Sequence, residues 1–221
     1  MWGEGSAYTK NSIYKIGDSL PPVNYDAHLI KAHSITHFEA PSHTIKGGRT
    51  IETFFENSDQ HFYGRVSIIR LKGDSYQKLD NGVEHWEITV DEILEGLNAI
   101  GLTTIPSKLF ITTESYTKNE EGYHDPRKVL TLTQAAASYL VSFENFKLYG
   151  TSWKSSDFKP GSSERPIHNT LFKQALILEN LDLSEVPEGE YFLSALPIAL
   201  EGASESPVTP IVFTYDELIK Y

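Results

Sequence analysis

The chain has 221 residues, of which 39% are hydrophobic, with a formal net charge of −11 and no cysteine. This length is enough for one well-cored domain, and the acidic balance argues against a nucleic-acid partner, which would need a basic surface. Without cysteine there is neither a disulfide framework nor a thiolate zinc site, so any metal must bind nitrogen and oxygen ligands. The N-terminus lacks a signal-peptide pattern, and no segment approaches the ~20 apolar residues of a membrane span. We therefore expect a cytoplasmic protein with no membrane partner.

Strand and helix patterns alternate along the chain. Residues 1–12 are polar and contain glycine, so we expect a flexible N-terminal arm followed by a domain over residues 13–221. Thr89 and Glu92 have the spacing of a capping box and predict a helix that ends near Gly101. Apolar periodicity predicts a second helix over residues 133–143 and strands over residues 66–71, 109–113, 146–149, 175–179, 190–196 and 210–213. The alternation predicts a single α/β domain, with a mixed sheet and flanking helices.

Residues 33–43 hold three of the eight histidines and one carboxylate: His33, His37, His43 and Glu39. Imidazole nitrogens and carboxylate oxygens are the ligands that hold Zn²⁺ or Mn²⁺ in hydrolytic sites. In an extended strand, His37 and Glu39 would share a face about 6.6 Å apart, whereas His33 would lie about 13 Å from His37 unless the chain turns. The spacing predicts a bent loop–strand segment that gathers the ligands. The alternative is a solvated polar edge strand, and spacing alone leaves both open.

Three separated blocks resemble one known family. Residues 33–43, with the pattern His-x-x-Thr-His-x-Glu-Ala-Pro-x-His, resemble the signature of the putative cyclase family, which includes bacterial kynurenine formamidase and isatin hydrolase. Residues 168–181 are similar to the family's His…Glu-Asn-Leu element, and residues 196–208 resemble its C-terminal strand pair. The likeness extends from about residue 16 to about residue 213. It implies the swivelling β/β/α architecture of that family.

The resemblance also implies a site for one or two divalent ions, Zn or Mn. It places metal ligands at His33, His37, Glu39, His168 and Glu179, and a catalytic histidine at His43. Glu179 ends a predicted strand, which is where ligand sites lie in open α/β sheets. We expect a metal-dependent hydrolase that cleaves the C–N bond of an N-acyl (formamide-like) or cyclic amide through a metal-activated water, with His43 as acid and base.

Three positions depart from the family pattern. Ile35 stands where the family has glycine, Glu39 replaces an aspartate, and Ser152 stands where many members have aspartate. If residue 35 needs a positive φ, a β-branched side chain is costly there, and the longer Glu39 would bridge two ions less well. These changes motivate an alternative function, a catalytically impaired relative that acts as a metal-dependent small-molecule binding or regulatory protein. A third alternative is a purely structural domain.

Aromatic residues near the motif blocks are candidate substrate contacts. We assign this role to Phe38, Tyr116, Tyr123 and Trp153. Tyr116 and Tyr123 lie in a polar segment, residues 114–128, that is long enough to form a binding loop. Ordinary packing also explains each aromatic residue. The expected partner is a small-molecule substrate, and the resemblance implies a homodimer or homotetramer in which residues 1–12 reach a neighbouring subunit.

Overall fold

The computed structural model describes residues 7–18, 21–55, 60–116, 118, 125–159 and 162–220. Its strands are β1 (Tyr8–Tyr14), β2 (Tyr25–Ile30), β3 (His37–Glu39), β4 (Tyr63–Leu71), β5 (Gln77–Lys78), β6 (Glu84–Ile88), β7 (Lys108–Thr113), β8 (Lys128–Leu132), β9 (Leu148–Thr151), β10 (Leu176–Glu179), β11 (Gly189–Ser194), β12 (Glu205–Pro207) and β13 (Ile211–Phe213). Its α-helices are α1 (Val90–Ala99), α2 (Gln134–Leu140), α3 (Pro166–Leu171) and α4 (Tyr215–Ile219). Short 3₁₀ turns lie at Ala32–Ser34, Pro41–His43 and Ile51–Phe54. The helices in this described part of the chain are too short or too polar to span a membrane.

The main layer is an eight-stranded sheet in the order β12-β3-β10-β9-β7-β4-β11-β13. Its central strands β10, β9, β7 and β4 are parallel, and the remaining strands join antiparallel at the two sides. A smaller sheet, β5-β6-β8, and the hairpin β1-β2 complete the described sheets. Helix α1 packs on β4, and α3 packs on β10 and α2. The predicted single α/β domain with a mixed sheet and flanking helices is confirmed.

Two apolar clusters cover the two faces of the large sheet, and side-chain alternation decides which residues face each one. We call them the helix-side core, which includes Ile177 and apolar residues of α1, α2 and α3, and the outer core, which includes Phe38 and Leu178. In the ladder between β3 and β10, Ile177 is opposite Glu39, and Leu178 is opposite Phe38. Glu39 therefore points to the helix side of the sheet, whereas Phe38 points into the outer core.

Most predicted elements are present, with shifted ends. Thr89 begins α1 with the expected capping box, because its hydroxyl accepts from Glu92 N while the Glu92 carboxylate accepts from Thr89 N. The second predicted helix is shorter, Gln134–Leu140, and the strand predicted at residues 146–149 is Leu148–Thr151. The sequence patterns do not predict α3, β6, β8 or the β1-β2 hairpin. Elements this short depend on tertiary partners more than on local propensity.

The predicted N-terminal arm is described only in part. From Tyr8 onward it belongs to β1, which pairs antiparallel with β2 and is exposed along its length. Residues 1–6 lie outside the described residues. The flexibility of residues 1–12, and the boundary at residue 13, stay predictions.

Lys108 is a buried lysine at the start of β7. The residue is 2% exposed, and its Nζ lies beside Gly64 of the neighbouring strand. Burial disfavours its charged form and the charge of Lys147 adds to this effect, so the pKa of Lys108 falls to about 8. The folded protein therefore holds this charge at a cost in stability at neutral pH.

We expect Lys108→Met to stabilise the protein at pH 7. The folded-state pKa of about 8 lies below the usual lysine value of 10.5, so the wild type itself gains stability as pH rises between these values. The advantage of the variant, up to about 3 kcal/mol, is therefore full at pH 7 and disappears by about pH 10.5. Urea unfolding across this range measures it, with the exposed Lys78→Met as control. An effect of equal size at every pH would contradict this account.

Candidate metal centre

Strand β3 lies between two strands that each bring a carboxylate beside it. In the antiparallel ladders, His37 is opposite Glu179 of β10, and Glu39 is opposite Glu205 of β12. Residues directly opposite each other in such ladders have Cβ atoms about 5 Å apart. Three strands from distant parts of the chain therefore gather these four side chains on the helix side of the sheet.

The two 3₁₀ turns that flank β3 bring further histidines to the same place. His33 lies in the turn before the strand, and His43 lies in the turn after it. Because the chain bends, His33 Nδ1 lies 3.1 Å from His37 Nε2. The predicted bent loop–strand segment is confirmed. The solvated edge strand is wrong, since His37 and Glu39 are 0% exposed and β3 has neighbours on both sides.

The Glu39 carboxylate is the centre of the cluster. Its Oε1 lies 3.2 Å from His33 Nδ1, from His37 Nε2 and from His43 Nε2. Its Oε2 lies 2.9 Å from Nε2 of His168, which α3 supplies. One oxygen of Glu39 thus contacts the three histidines of residues 33–43, and the other contacts His168.

Four of the predicted ligands form a compact set that we call the inner group: His33, His37, Glu39 and Glu179. One ligand atom from each lies within 4.8 Å of the others. Two ligands held at about 2.1 Å by a tetrahedral ion are about 3.4 Å apart, close to the separations within this group. Glu179 Oε2 is buried without a hydrogen-bond partner among the described residues, as expected for an oxygen that faces a cation. The inner group therefore fits a divalent cation.

Two hydrogen bonds turn the Nε2 atoms of His37 and His168 toward the cluster. His37 Nδ1 donates to the Ile35 carbonyl at 2.8 Å, because a carbonyl oxygen only accepts. His168 Nδ1 lies 2.7 Å from Asp157 Oδ2, and its Nε2 is 3.5 Å from Glu179 Oε1. Partners of this kind fix the tautomer and leave Nε2 available as a ligand. His168 therefore lies beside the inner group, correctly oriented to join it.

Asp157 is a residue of the candidate site that the sequence patterns do not predict. Its carboxylate also accepts hydrogen bonds from the backbone N of Ile167 and of His168, at 3.0 and 2.9 Å, and so holds the first turn of α3. The residue lies in a segment rich in serine, glycine and proline, which predicts only a loop. No spacing rule connects it to His168, because the contact depends on how this loop returns to the helix.

The end of β10 is fixed to the histidine-bearing turn. The Ser156 hydroxyl donates to Glu179 Oε1 at 2.7 Å. Asn180 has a φ of 58°, and its amide donates to the carbonyls of His33 and Ile35. Asparagine tolerates this left-handed conformation better than most residues. Glu179 of the sequence motif is thus a candidate ligand, and Asn180 hydrogen-bonds the end of β10 to the turn that carries His33.

The three residues that depart from the family pattern each fit their surroundings in the structure. Ile35 has a φ of −130°, an extended conformation that any residue adopts, so no strain arises there. Glu39 contacts both halves of the cluster through its two oxygens. The Ser152 hydroxyl donates to Thr112 Oγ1 at 3.0 Å within the buried sheet. None of the three changes separates the candidate ligands.

Protonation in the cluster is set by competition between burial and charge. Burial opposes ionisation of Glu39, but hydrogen bonds from His168 and His33 outweigh it and hold the pKa of Glu39 well below its usual value. Burial also opposes protonation of His168, yet Asp157 and Glu39 raise the pKa of His168 to about 10. Burial lowers the pKa of His43. Because protons and a cation compete for the same atoms, cation binding here must release protons.

The other side of the cluster faces solvent. One ligand atom from each of four residues again lies within 4.8 Å of the others, and we call this set the outer group: His33, Glu39, His43 and Glu205. The side chains of His43 and Glu205 are 24% and 29% exposed. The predicted catalytic histidine therefore lies where a small molecule can reach it. The sequence reasoning misses Glu205, because the register of β12 against β3 cannot be read from local patterns.

The aromatic candidates lie in different surroundings. Phe38 is buried in the outer core, on the opposite face of β3 from Glu39. Trp153 is buried in the helix-side core, and Tyr116 is half-buried after β7. Tyr123 lies outside the described residues. Their contacts with a substrate stay predictions.

Known proteins resemble this chain over most of its length. A family model described as putative cyclase matches residues 6–157. Kynurenine formamidase from Bacillus cereus is 30% identical over 191 residues, which cover 86% of this chain and 80% of that protein. Kynurenine formamidase from Polaromonas naphthalenivorans is 28% identical over 209 residues, which cover 94% of this chain and 82% of that protein.

Solved structures share the fold. Isatin hydrolase A from Ralstonia solanacearum matches with a TM-score of 0.68 at 21% identity, over 94% of this chain and 81% of that chain. A predicted metal-dependent hydrolase from Bacillus stearothermophilus matches with a TM-score of 0.66 at 22% identity, over 93% of this chain and 86% of that chain. At these identities the likeness shows the architecture, which agrees with the fold expected from the sequence motifs.

The non-catalytic alternative is not favoured. The relatives are named as enzymes, and the three departures leave His33, His37, Glu39 and Glu179 close enough together to hold a metal ion. The chain is an enzyme of the cyclase/formamidase type, and it belongs to the putative cyclase family.

Proposed function

We propose that this enzyme is a metal-dependent hydrolase that cleaves the C–N bond of an N-acyl (formamide-like) or cyclic amide. The observation that carries the proposal is the inner group, whose ligand atoms lie within 4.8 Å of one another. The names of the related proteins support the substrate class, since a formamide and isatin, which is a cyclic amide, both contain a carbonyl carbon bonded to nitrogen. A hydrolase of this kind needs neither a nucleophilic cysteine nor a serine triad.

The proposed cofactor is Zn or Mn, in one or two copies. It would be held by His33, His37, Glu39 and Glu179. His168 lies beside the other oxygen of the Glu39 carboxylate and would be a further ligand. Imidazole and carboxylate donors of this kind suit both metals. When bound, such a cation polarises a carbonyl and lowers the pKa of water. The buried carboxylates of Glu39 and Glu179 would balance its charge, since a buried ion without compensation is costly.

In this proposal the side chains of the protein orient the reactants and move the proton. His43, on the exposed side of the cluster, takes a proton from water as the new C–O bond forms. When the C–N bond breaks, His43 returns that proton to the leaving nitrogen, so the proton balance closes. The Ile35 carbonyl and Asp157 keep the rings of His37 and His168 in the required tautomers.

The hairpin β1-β2 supports the further proposal of a homodimer or homotetramer. It carries large apolar side chains in exposed positions, including Tyr8 at 46%, Ile13 at 47%, Tyr25 at 54% and Leu29 at 62%. An element that leaves several large apolar side chains exposed is a candidate surface for another chain to cover. A second copy of this chain is the occupant that we propose for this hairpin.

We expect His43→Asn to lower kcat for a responsive formyl-anilide or lactam by roughly 10²- to 10⁴-fold, because the variant lacks the proton-transferring imidazole. Metal content should stay at the wild-type level at stoichiometric metal, since the inner group is intact. Turnover assays with metal analysis test this, with the exposed His28→Asn as control. An unchanged kcat in His43→Asn would rule out its role in proton transfer.

Asp157→Asn tests the orientation of His168. The amide keeps an oxygen for the first turn of α3 but removes the charge beside His168 Nδ1, so we expect metal affinity to fall roughly 10- to 100-fold. Competition with a chromophoric chelator measures the affinity. Glu164→Gln, an exposed charge change in the same loop, serves as the control. Equal affinities for all three proteins would show that Asp157 has no part in metal binding.

The oligomer proposal is tested by light scattering on the wild type and on the double variant Ile13→Asp/Leu29→Asp. We expect a dimer or tetramer for the wild type and a monomer for the variant, because two charges cannot be buried at the interface without partners. Asn11→Asp adds one charge at a polar position of the same strand and should leave the assembly intact. A monomeric wild type would refute the proposal.

A further inference from the structure

The outer group contains a carboxylate, Glu205, that the proposed reaction does not use. Its Oε2 faces two ring nitrogens, at 3.6 Å from His33 Nδ1 and 3.8 Å from His43 Nδ1. Both distances exceed that of a hydrogen bond. They are instead close to the ~3.4 Å that separates two ligands of a single tetrahedral ion. The spacing fits an ion pair with a protonated imidazole, and it equally fits a cation held between these groups.

The backbone holds Glu205 in this position. In the ladder between β12 and β3, Glu205 is paired with Glu39, so two carboxylates lie next to each other on the same face of the sheet. Like charges placed opposite each other are destabilising unless positive charge lies between them. Positive charge between the two carboxylates can come from the imidazoles of His33 and His43 when they are protonated, or from a cation that both carboxylates bind.

Exposure distinguishes the outer group from the inner one. The side chains of His43 and Glu205 are 24% and 29% exposed, whereas those of His37 and Glu179 are 0% and 0% exposed. Solvent competes with the exposed ligands and screens their charge, so an ion held there binds more weakly and exchanges faster.

We propose that His43, Glu205 and the shared Glu39 form a separate, weaker divalent-cation site, and that an ion in it inhibits the enzyme. The inhibitory part rests on the proposed function of His43 in proton transfer. A neutral imidazole has one basic lone pair. An ion that takes this lone pair leaves the ring unable to accept a proton from water, and no bond of the substrate is broken in that state.

The test is calorimetric titration of chelator-treated protein with Zn²⁺ alone, for the wild type, Glu205→Gln and Glu201→Gln. Glu201 is exposed and lies in the same segment, so its substitution makes the same charge change away from the cluster. We expect the wild type to bind one ion tightly at the inner group and one ion weakly at the outer site. In Glu205→Gln the tight binding should be unchanged, and the weak ion should bind at least roughly tenfold more weakly. Glu201→Gln should match the wild type. Equal numbers and affinities in all three proteins would overturn the site.

Turnover against free Zn²⁺ tests the inhibition. The wild-type rate should rise as the tight site fills and then fall, and in Glu205→Gln the fall should move to at least roughly tenfold higher Zn²⁺. A weak ion without any fall in rate would overturn the inhibitory role. If no amide is turned over, the proposed function fails, but the calorimetric result still decides whether the site exists.

Discussion

The pairing of β3 between β10 and β12 is the constraint on which the rest of the site depends. It sets a three-residue strand, His37–Glu39, against carboxylates from two distant segments, Glu179 and Glu205. Alternation along the strand sends Phe38 into the outer core, and this burial fixes the register. A shift by one residue would move the ligands into the outer core and Phe38 to the helix side of the sheet. The packing of one phenylalanine therefore decides which side chains can form a metal centre.

Burial of so many ionisable groups is costly unless their charges are compensated. Glu39 meets this requirement with imidazoles on both of its oxygens, and Asp157 does so for His168. Two carboxylate oxygens of the cluster, Glu39 Oε2 and Glu179 Oε2, are nevertheless buried without a well-formed hydrogen bond in the described structure. The fully buried position of Glu179 raises its pKa, with the nearby charge of Glu39 adding to the effect. A cation beside these two carboxylates would satisfy both at once.

The sequence predicts the parts of the site that are local and misses those that depend on tertiary register. The spacing of His33 and His37 predicts the bend, because an extended strand would keep these two histidines about 13 Å apart. Asp157 and Glu205 are not predicted. Asp157 reaches the cluster because its loop folds back against His168, and Glu205 reaches it because β12 pairs with β3. The same reason applies to the fold: sequence spacing predicts the capping box of α1, whereas the first turn of α3 donates to Asp157, a contact that no local pattern predicts.

Anomalous diffraction from crystals grown with Zn²⁺ would locate the cation itself. We expect an anomalous peak bounded by the ring nitrogens of His33 and His37 and by carboxylate oxygens of Glu39 and Glu179. Peaks that all lie away from the inner group, or no peak at full metal saturation, would rule this metal centre out.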